Sequence, residues 1–305
     1  MTRLIIVSWL WAFSFGINKQ WIAGADPVLV TLIRLGLALL ALLPWLRLPR
    51  AGRRGAAELM GIGAVQFGLM YVALNYCFIV LQAYQVALFT VMTPLYVAAI
   101  HAGRSRRAPA GLFAAAGLAL LGAALVERWA VDRRAFWQAF AVMQVSNAAF
   151  AWGQVAYRDW RRRNPAERDL DIFGWLYLGG TLVALAWAAL GSDWGELLAY
   201  SPQRWAALLY LGLIASGAGF FLWNTGATRV TPGALAAMNN LKSPLAVLVS
   251  VIFWGAYAAM RPADWFLLAA GAACIIGAAA WGAAEKDTPS TSSAPGRSGP
   301  SAIQP

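Results

Sequence analysis

The sequence has few charged residues and few residues that support catalysis or metal binding. Only 12% of its 305 residues are charged, and it contains one histidine and two cysteines. It lacks a GxxxxGK[ST] loop for ATP, and its His, Cys, Asp and Glu residues form no cluster with metal-ligand spacing. No Ser, His and Asp combine into a catalytic set. We therefore expect neither an enzyme nor a protein that uses a metal, another cofactor or ATP hydrolysis.

Carboxylates are also missing from the middle of every long apolar run. All 13 acidic residues fall in loops, in the tail or at the ends of these runs. Exporters that exchange a cationic drug for a proton usually need a buried carboxylate that binds both ions. The distribution of Asp and Glu therefore disfavours such an antiporter.

Long apolar runs dominate the chain. Hydrophobic residues make up 60% of it, and its mean hydropathy is +0.59. A transmembrane helix needs about 20 such residues, and uniformly apolar runs without alternation indicate helices rather than barrel strands. The sequence thus predicts an all-α integral membrane protein in the lipid bilayer, with ten transmembrane helices near residues 4–22, 28–46, 58–81, 83–101, 109–126, 135–158, 172–190, 204–224, 231–255 and 263–283.

The positive charge of the chain lies mainly in short loops. Its formal net charge is +11, and most Lys and Arg residues would lie on the side of the membrane that holds both ends of the chain. Cytoplasmic loops are enriched in Lys and Arg. We therefore expect a multi-pass protein of the bacterial cytoplasmic membrane with both termini in the cytoplasm, and no nucleic-acid partner.

A weak internal repeat relates the two halves of the chain. A shift of 150 residues places 93–97 (TPLYV) over 243–247 (SPLAV), which pairs the fourth span with the ninth. Five spans per half form two inverted repeats, an architecture that recurs in transporters, although apolar helices also resemble one another by chance. We expect a first repeat at 1–130, a second at 131–284 and a disordered tail at 285–305, with Pro94 and Pro244 as hinges.

Lys242 is the principal candidate for a substrate-binding residue. It lies about 16 Å into the ninth span at 1.5 Å per residue, near the middle of the bilayer. A charge there is costly and is usually functional. Pro244 leaves the carbonyl of Asn240 without a helical partner, and Asn239 shares the face of Lys242. The alternative is a lysine that bonds helix carbonyls or extends to water.

Three amides follow one face of the sixth span. Gln144, Asn147 and Gln154 are separated by steps that match a helix of 3.6 residues per turn. This face must point away from lipid. It either forms one wall of a wet cavity or holds neighbouring helices together through hydrogen bonds.

Weaker polar faces occur in two other spans. In the third span Tyr71, Asn75 and Phe78 share one side, and in the first span Trp11 lies on the face of Ser14 and Asn18. Lys19 and Arg34 lie closer to span ends, where their long side chains are able to extend to the membrane surface. The sequence does not assign a role to these two cations.

Several of these residues also resemble a known family. The run 11–19 (WAFSFGINK), followed by Pro27 and Arg34, is similar to the opening of EamA-type proteins of the drug/metabolite transporter superfamily, in which a Trp-Gly pair precedes a Lys by eight positions and a Pro leads to an Arg in the second span. The second half is similar as well, at positions Trp152, Gly153, Gly212, Trp223, Pro232, Pro244 and Gly255.

The resemblance implies a ten-helix inverted-repeat carrier, usually an inner-membrane exporter of amino acids or other small metabolites. The chain departs from the family where spans 4 and 9 often end in Gly-Glu: it has Gly103-Arg104 and Gly255-Ala256. Any role of those glutamates is absent from this chain.

The leading hypothesis is a secondary transporter, acting as a monomer and as an exporter, that moves a small zwitterionic or anionic metabolite such as an amino acid or carboxylate by alternating access. The alternatives are an exporter of aromatic or cationic drugs and a membrane interaction protein without transport. In the transporter, Lys242 binds a carboxylate. The other substrate-binding candidates are Asn239, Asn75, Gln144, Asn147 and Gln154 as hydrogen-bonding groups, and Tyr71, Phe78 and Trp11 as walls.

Overall fold

The computed structural model describes residues 2–105 and 132–230, together with single residues between 117 and 121 and between 238 and 277. Throughout this part of the chain the backbone forms helices and turns, and no strand is present. The all-α prediction is therefore confirmed for the residues that the structure describes.

These two segments, 2–105 and 132–230, form seven long helices, and several of the helices contain an irregular turn. They are α1 (Thr2–Ile17, continued by the π-helical turn Asn18–Ile22), α2 (Pro27–Leu42, then Leu43–Trp45), α3 (Gly52–Val80, with a π-helical segment Ala64–Leu69), α4 (Ala83–Phe89, a 3-10 turn Thr90–Met92 and Thr93–Ser105), α5 (Arg133–Arg163), α6 (Asp169–Gly191) and α7 (Pro202–Ala227, with a π-helical segment Tyr210–Ala218).

These helices coincide with predicted spans 1 to 4 and 6 to 8. Four of them, α2, α3, α6 and α7, are long and apolar enough to cross a membrane by length and composition. The remaining spans, 5, 9 and 10, lie outside the described residues, as do Lys242, Asn239 and Pro244. The ten-helix count and the inverted repeat stay predictions.

Local sequence signals set the ends of several helices. Asp26 precedes Pro27 and accepts the backbone N–H of Val28 at 2.7 Å, so α2 begins with both a cap and a proline. Ser201 and Pro202 start α7 in the same way. Gly24 has a φ of +92° in the α1–α2 turn, a conformation that side chains with a Cβ rarely adopt.

The helices pack into one bundle, in which glycines permit a close approach of α3 and α6. α2 packs against α6 and α7, and the two halves of α3 contact α6 and α5. At the α3–α6 crossing, a Cβ on Gly63 would collide with the carbonyl of Leu176, and a Cβ on Gly179 would collide with the carbonyl of Met60. Glycine at both positions therefore permits backbone contact between these helices.

The outer surface of the described bundle is apolar. Leu40 on α2 is 63% exposed and Leu190 on α6 is 85% exposed. An ion pair lies at the helix ends: Arg161 Nε at the end of α5 is 2.9 Å from Asp169 Oδ1 at the start of α6. Apolar side chains around the helices and ion pairs at their ends are the distribution that a lipid bilayer requires.

Candidate functional site

Arg34 lies inside the bundle rather than at the membrane surface. Its side chain is 2% exposed, so the interpretation that it extends to water is wrong. Its guanidinium donates from Nη2 to the Tyr71 hydroxyl at 3.0 Å, from Nη1 to Asn18 Oδ1 at 3.2 Å and Asn75 Oδ1 at 3.4 Å, and from Nε to Ser216 Oγ at 3.3 Å. Residues of α1, α3 and α7 thus converge on one cation from α2.

Further contacts hold this arrangement in place. The guanidinium carbon lies 4.2 Å from the centre of the Tyr71 ring. The Tyr71 and Ser216 hydroxyls are 2.8 Å apart, and Asn75 Nδ2 donates to Thr31 Oγ1 at 3.0 Å. The Tyr177 hydroxyl donates to the Ser216 carbonyl at 2.6 Å. Arg34 is therefore positioned by its partners and by a second shell of bonds behind them.

The hydrogen-bonding partners of Arg34 in the described segments are all neutral. Within 2–105 and 132–230 no Asp or Glu is buried, so no carboxylate of these segments compensates the guanidinium. The four bonds account for four of its five N–H groups. A buried guanidinium without a carboxylate, held in a fixed orientation, is suited to bind an anion through charge-assisted hydrogen bonds.

A cavity lies beside this guanidinium. It contains about 510 Å³ of atom-free space, which includes space open to the outside. Its described lining combines one charged residue with hydroxyls, amides, aromatic rings and methionines: Trp11, Ser14, Phe15, Asn18, Arg34, Met70, Tyr71, Leu74, Thr90, Thr93, Met143, Ser146, Asn147, Phe150 and Phe220.

Some of the residues singled out from the sequence line this cavity. Trp11, Tyr71 and Asn147 do so. Asn75 lies behind Arg34 as one of its hydrogen-bond acceptors. Trp11 donates from Nε1 to the Ala215 carbonyl at 3.0 Å, which holds its ring in the cavity wall.

Other predicted residues join helices and are not among the lining residues. Gln144 accepts the Tyr96 hydroxyl at 3.2 Å, and Gln154 accepts Trp223 Nε1 at 3.1 Å. Phe78 packs against Phe15 with ring centres 6.0 Å apart. For Gln144 and Gln154, the contacts match the alternative in which amides hold helices together.

Lys19 also has a specific partner. Its Nζ donates to the carbonyl of Phe78 at 3.0 Å, and its side chain is half-buried. Phe78 is in the last turn of α3, where helix carbonyls have no helical partner. Lys19 thus connects the end of α1 to the end of α3.

Pro94 lies where α4 changes from a 3-10 turn back to an α-helix. Because proline lacks an N–H, the Thr90 carbonyl loses its helical partner, and it instead accepts the Thr93 backbone N–H and the Thr93 hydroxyl, the latter at 2.7 Å. One residue earlier, the Phe89 carbonyl accepts Asn147 Nδ2 at 2.9 Å. Asn147 of α5 therefore holds the irregular part of α4.

Loss of this amide is expected to weaken the α4–α5 contact. Asn147→Ala removes the bond to Phe89, and interhelical hydrogen bonds in membranes contribute about 0.6 kcal/mol on average. We expect Tm in detergent to fall by roughly 1–2 °C. Gln138→Ala, which changes an exposed amide on the same helix, is the control. Tryptophan fluorescence during heating measures the Tm of both variants. An equal decrease in Tm in both would contradict this role of Asn147.

The sequence did not single out several residues of the site. Ser216, Thr90, Thr93 and Ser146 are single hydroxyls within apolar helices, and their spacing gave no signal. Arg34 was noticed, but its burial depends on partners from three other helices.

Comparison with known proteins identifies the family. The EamA-like transporter family matches residues 148–281. Over 279 residues the chain is 37% identical to the biotin transporter of Salmonella typhimurium, covering 90% of each chain. The chain belongs to the EamA-like transporter family. This transporter is also 38% identical to the biotin transporter of Escherichia coli over 257 residues (83% of this chain and 85% of that one) and 39% identical to the probable biotin transporter of Pseudomonas aeruginosa over 279 residues (90% and 95%).

A solved structure is similar to this EamA-like transporter in fold. A crystal structure of another protein superposes with a TM-score of 0.60, covering 92% of this chain and 95% of that chain at 18% sequence identity. This similarity concerns the fold alone. Family membership confirms that the chain is a membrane transporter and not an enzyme. The relatives are named for biotin, so they do not support an amino acid substrate, and their names give no direction of transport.

Proposed function

We propose that this EamA-like transporter carries biotin across the membrane. Biotin is a monocarboxylic acid whose aliphatic chain ends in a fused ring with a cyclic urea. The observation that carries the proposal is the buried guanidinium of Arg34, whose described partners are all neutral and which lines the cavity. The biotin transporters at 37–38% identity support the same substrate.

The lining of the cavity suits both ends of this molecule. The carboxylate binds Arg34 through charge-assisted hydrogen bonds. The fused ring packs against the cluster formed by Trp11, Phe150 and Phe220, whose ring centres are 4.8 to 6.1 Å apart. Aromatic walls with a few oriented polar groups are typical of pockets for small molecules.

The remaining predictions complete this proposal. Transport occurs by alternating access between two inverted repeats, 1–130 and 131–284, in a monomer of the bacterial inner membrane with both ends and the tail 285–305 in the cytoplasm. Pro94 and Pro244 are the hinges. Lys242 and Asn239, on the ninth span, approach the substrate from the second repeat.

The alternative of a cationic drug as substrate is disfavoured by the charge of the site. A cationic ligand in the cavity would lie beside the Arg34 guanidinium, and like charges in a low-dielectric interior repel strongly. A non-transporting role leaves the cavity without a function.

Counterflow in proteoliposomes tests the proposal independently of direction. The protein is reconstituted with unlabelled biotin inside, and tritiated biotin is added outside. We expect labelled biotin to accumulate transiently above its equilibrium level, and external unlabelled biotin to suppress the accumulation. Leucine, glutamate and ethidium at the same concentrations leave it unchanged. Protein-free liposomes are the control, and the absence of counterflow would reject biotin as the substrate.

A further inference from the structure

The serine and threonine hydroxyls that line the cavity are oriented alike. Each lies within hydrogen-bond distance of a main-chain carbonyl of a helix, to which it donates its single hydrogen, and Thr93 Oγ1 also lies 3.3 Å from Asn147 Oδ1. The four bonds are Ser14 to Trp11 at 2.8 Å, Thr90 to Ala87 at 2.7 Å, Thr93 to Thr90 at 2.7 Å and Ser146 to Met70 at 3.1 Å. Because a hydroxyl has one hydrogen and two lone pairs, the oxygens of these side chains remain acceptors toward the cavity.

The other polar groups of this wall are engaged as donors too. Asn147 Nδ2 donates to the Phe89 carbonyl at 2.9 Å and to Gln144 Oε1 at 3.2 Å. Trp11 Nε1 donates to the Ala215 carbonyl. The Thr93 bond has a structural cause, since Pro94 deprives the Thr90 carbonyl of its helical N–H. We refer to Ser14, Thr90, Thr93 and Ser146 as the acceptor wall.

Donors are concentrated around Arg34. The guanidinium has one N–H beyond its four described bonds. Asn18 accepts Arg34 through Oδ1, so its carbonyl side is engaged and its NH₂ group is the part of the amide available to a ligand. Arg34 comes from α2, whereas three of the four acceptor-wall residues come from α4 and α5. The described lining therefore separates donors from acceptors.

We propose that the acceptor wall recognises N–H groups of the substrate, specifically the two N–H groups of a cyclic urea, while Arg34 and Asn18 hold the carboxylate. This inference rests on the proposed function and adds the orientation and the recognition of the head group. The oxygens of Thr93 and Ser146 accept the urea N–H groups. The urea carbonyl, itself an acceptor, finds no matching donor on this wall.

Substrate analogues separate the two kinds of recognition in the unmodified protein. In one analogue a ring oxygen replaces one urea N–H, which gives a cyclic carbamate with little change in shape. In the other, 2-thiobiotin, sulfur replaces the urea oxygen and weakens only the acceptor. We expect the carbamate to compete with tritiated biotin in counterflow roughly tenfold more weakly than biotin, because an acceptor then faces an acceptor. 2-Thiobiotin stays within about threefold of biotin, because its carbonyl position lacks a strong partner.

Two variants locate the effect on the acceptor wall. Thr93→Val and Ser146→Ala remove one acceptor each, and we expect the difference between biotin and the carbamate to shrink in both. A general packing defect would weaken both ligands alike and leave their ratio unchanged. Thr228→Val is the control, because this hydroxyl also bonds a helix carbonyl, at 3.0 Å, but is not among the lining residues.

The outcomes distinguish this inference from the proposed function. Absence of biotin counterflow rejects the proposed function. If biotin is transported but the carbamate competes equally well, the wall does not recognise the urea N–H groups and the inference is wrong. If 2-thiobiotin alone fails, the wall donates to the urea carbonyl and the inference is wrong as well. If a variant does not fold, the comparison of the two analogues on the unmodified protein decides.

Discussion

Arg34→Met is expected to weaken biotin binding by roughly 10- to 150-fold. The guanidinium is buried, oriented by Tyr71, Asn18 and Ser216, and bordered by the cavity. A hydrogen bond to a charged group contributes about 1.5–3 kcal/mol, which corresponds to that change in Kd. Isothermal calorimetry on the purified protein in detergent measures it. Arg34→Lys keeps the charge but not the planar fork and should give an intermediate Kd.

A neutral analogue of biotin distinguishes the loss of carboxylate binding in Arg34→Met from a general loss of folded protein. Biotinol has an alcohol where biotin has its carboxylate. In the unmodified protein biotin should bind more tightly than biotinol, and in Arg34→Met the two should bind almost equally. Arg204→Gln is the control, because this arginine contacts the Trp21 carbonyl at 2.9 Å and is not among the cavity-lining residues. A persisting preference for biotin in Arg34→Met would assign the carboxylate to another residue.

Gly179→Ala is expected to destabilise the bundle strongly, although it adds a single methyl group. The new Cβ would overlap the Met60 carbonyl. Neither helix is able to relieve the overlap by moving a side chain, so α3 and α6 must separate. Inserting extra atoms into a packed interior costs roughly 1–3 kcal/mol and occasionally more. We expect Gly179→Ala to reach at least the upper end of this range, with Gly63→Ala acting in the same way against Leu176.

Gly61→Ala is the matched control on α3, the helix that contains Gly63. It lies two residues from Gly63, is exposed, and a Cβ there would meet no atom within 4 Å. Since alanine also favours helix more than glycine, this variant should be as stable as the unmodified protein. Fluorescence-detected size exclusion after heating compares the three variants. Equal Tm values for Gly61→Ala and Gly179→Ala would show that α3 and α6 are farther apart than described.

The spans could be predicted because their signal is local. A run of about 20 apolar residues has to be a helix in lipid, whatever surrounds it. For this reason α2, α6 and α7 lie within a few residues of the predicted ranges. The π-helical turns could not be predicted in this way. Asn18 and Ser216, two partners of Arg34, lie in such turns, and the apolar runs that contain them give no sign of the altered register.

The polar faces were predicted only in part. Gln144, Asn147 and Gln154 share one face of α5, as their spacing requires. Asn147 reaches the cavity, whereas Gln154 accepts an indole N–H from α7. Helical periodicity defines which residues share a face, but the neighbouring helix determines whether an amide meets water or another side chain.

By itself the sequence determined that this chain is a helical membrane protein without a buried carboxylate in its apolar runs, because hydropathy and the cost of charge in lipid act on each segment separately. The tertiary structure decided that Arg34 is buried inside the bundle and carries the described positive charge of the cavity. The reason is that four side chains from three other helices accept hydrogen bonds from the guanidinium. Only when these helices assemble do the bonds offset the free-energy cost of burying the charge.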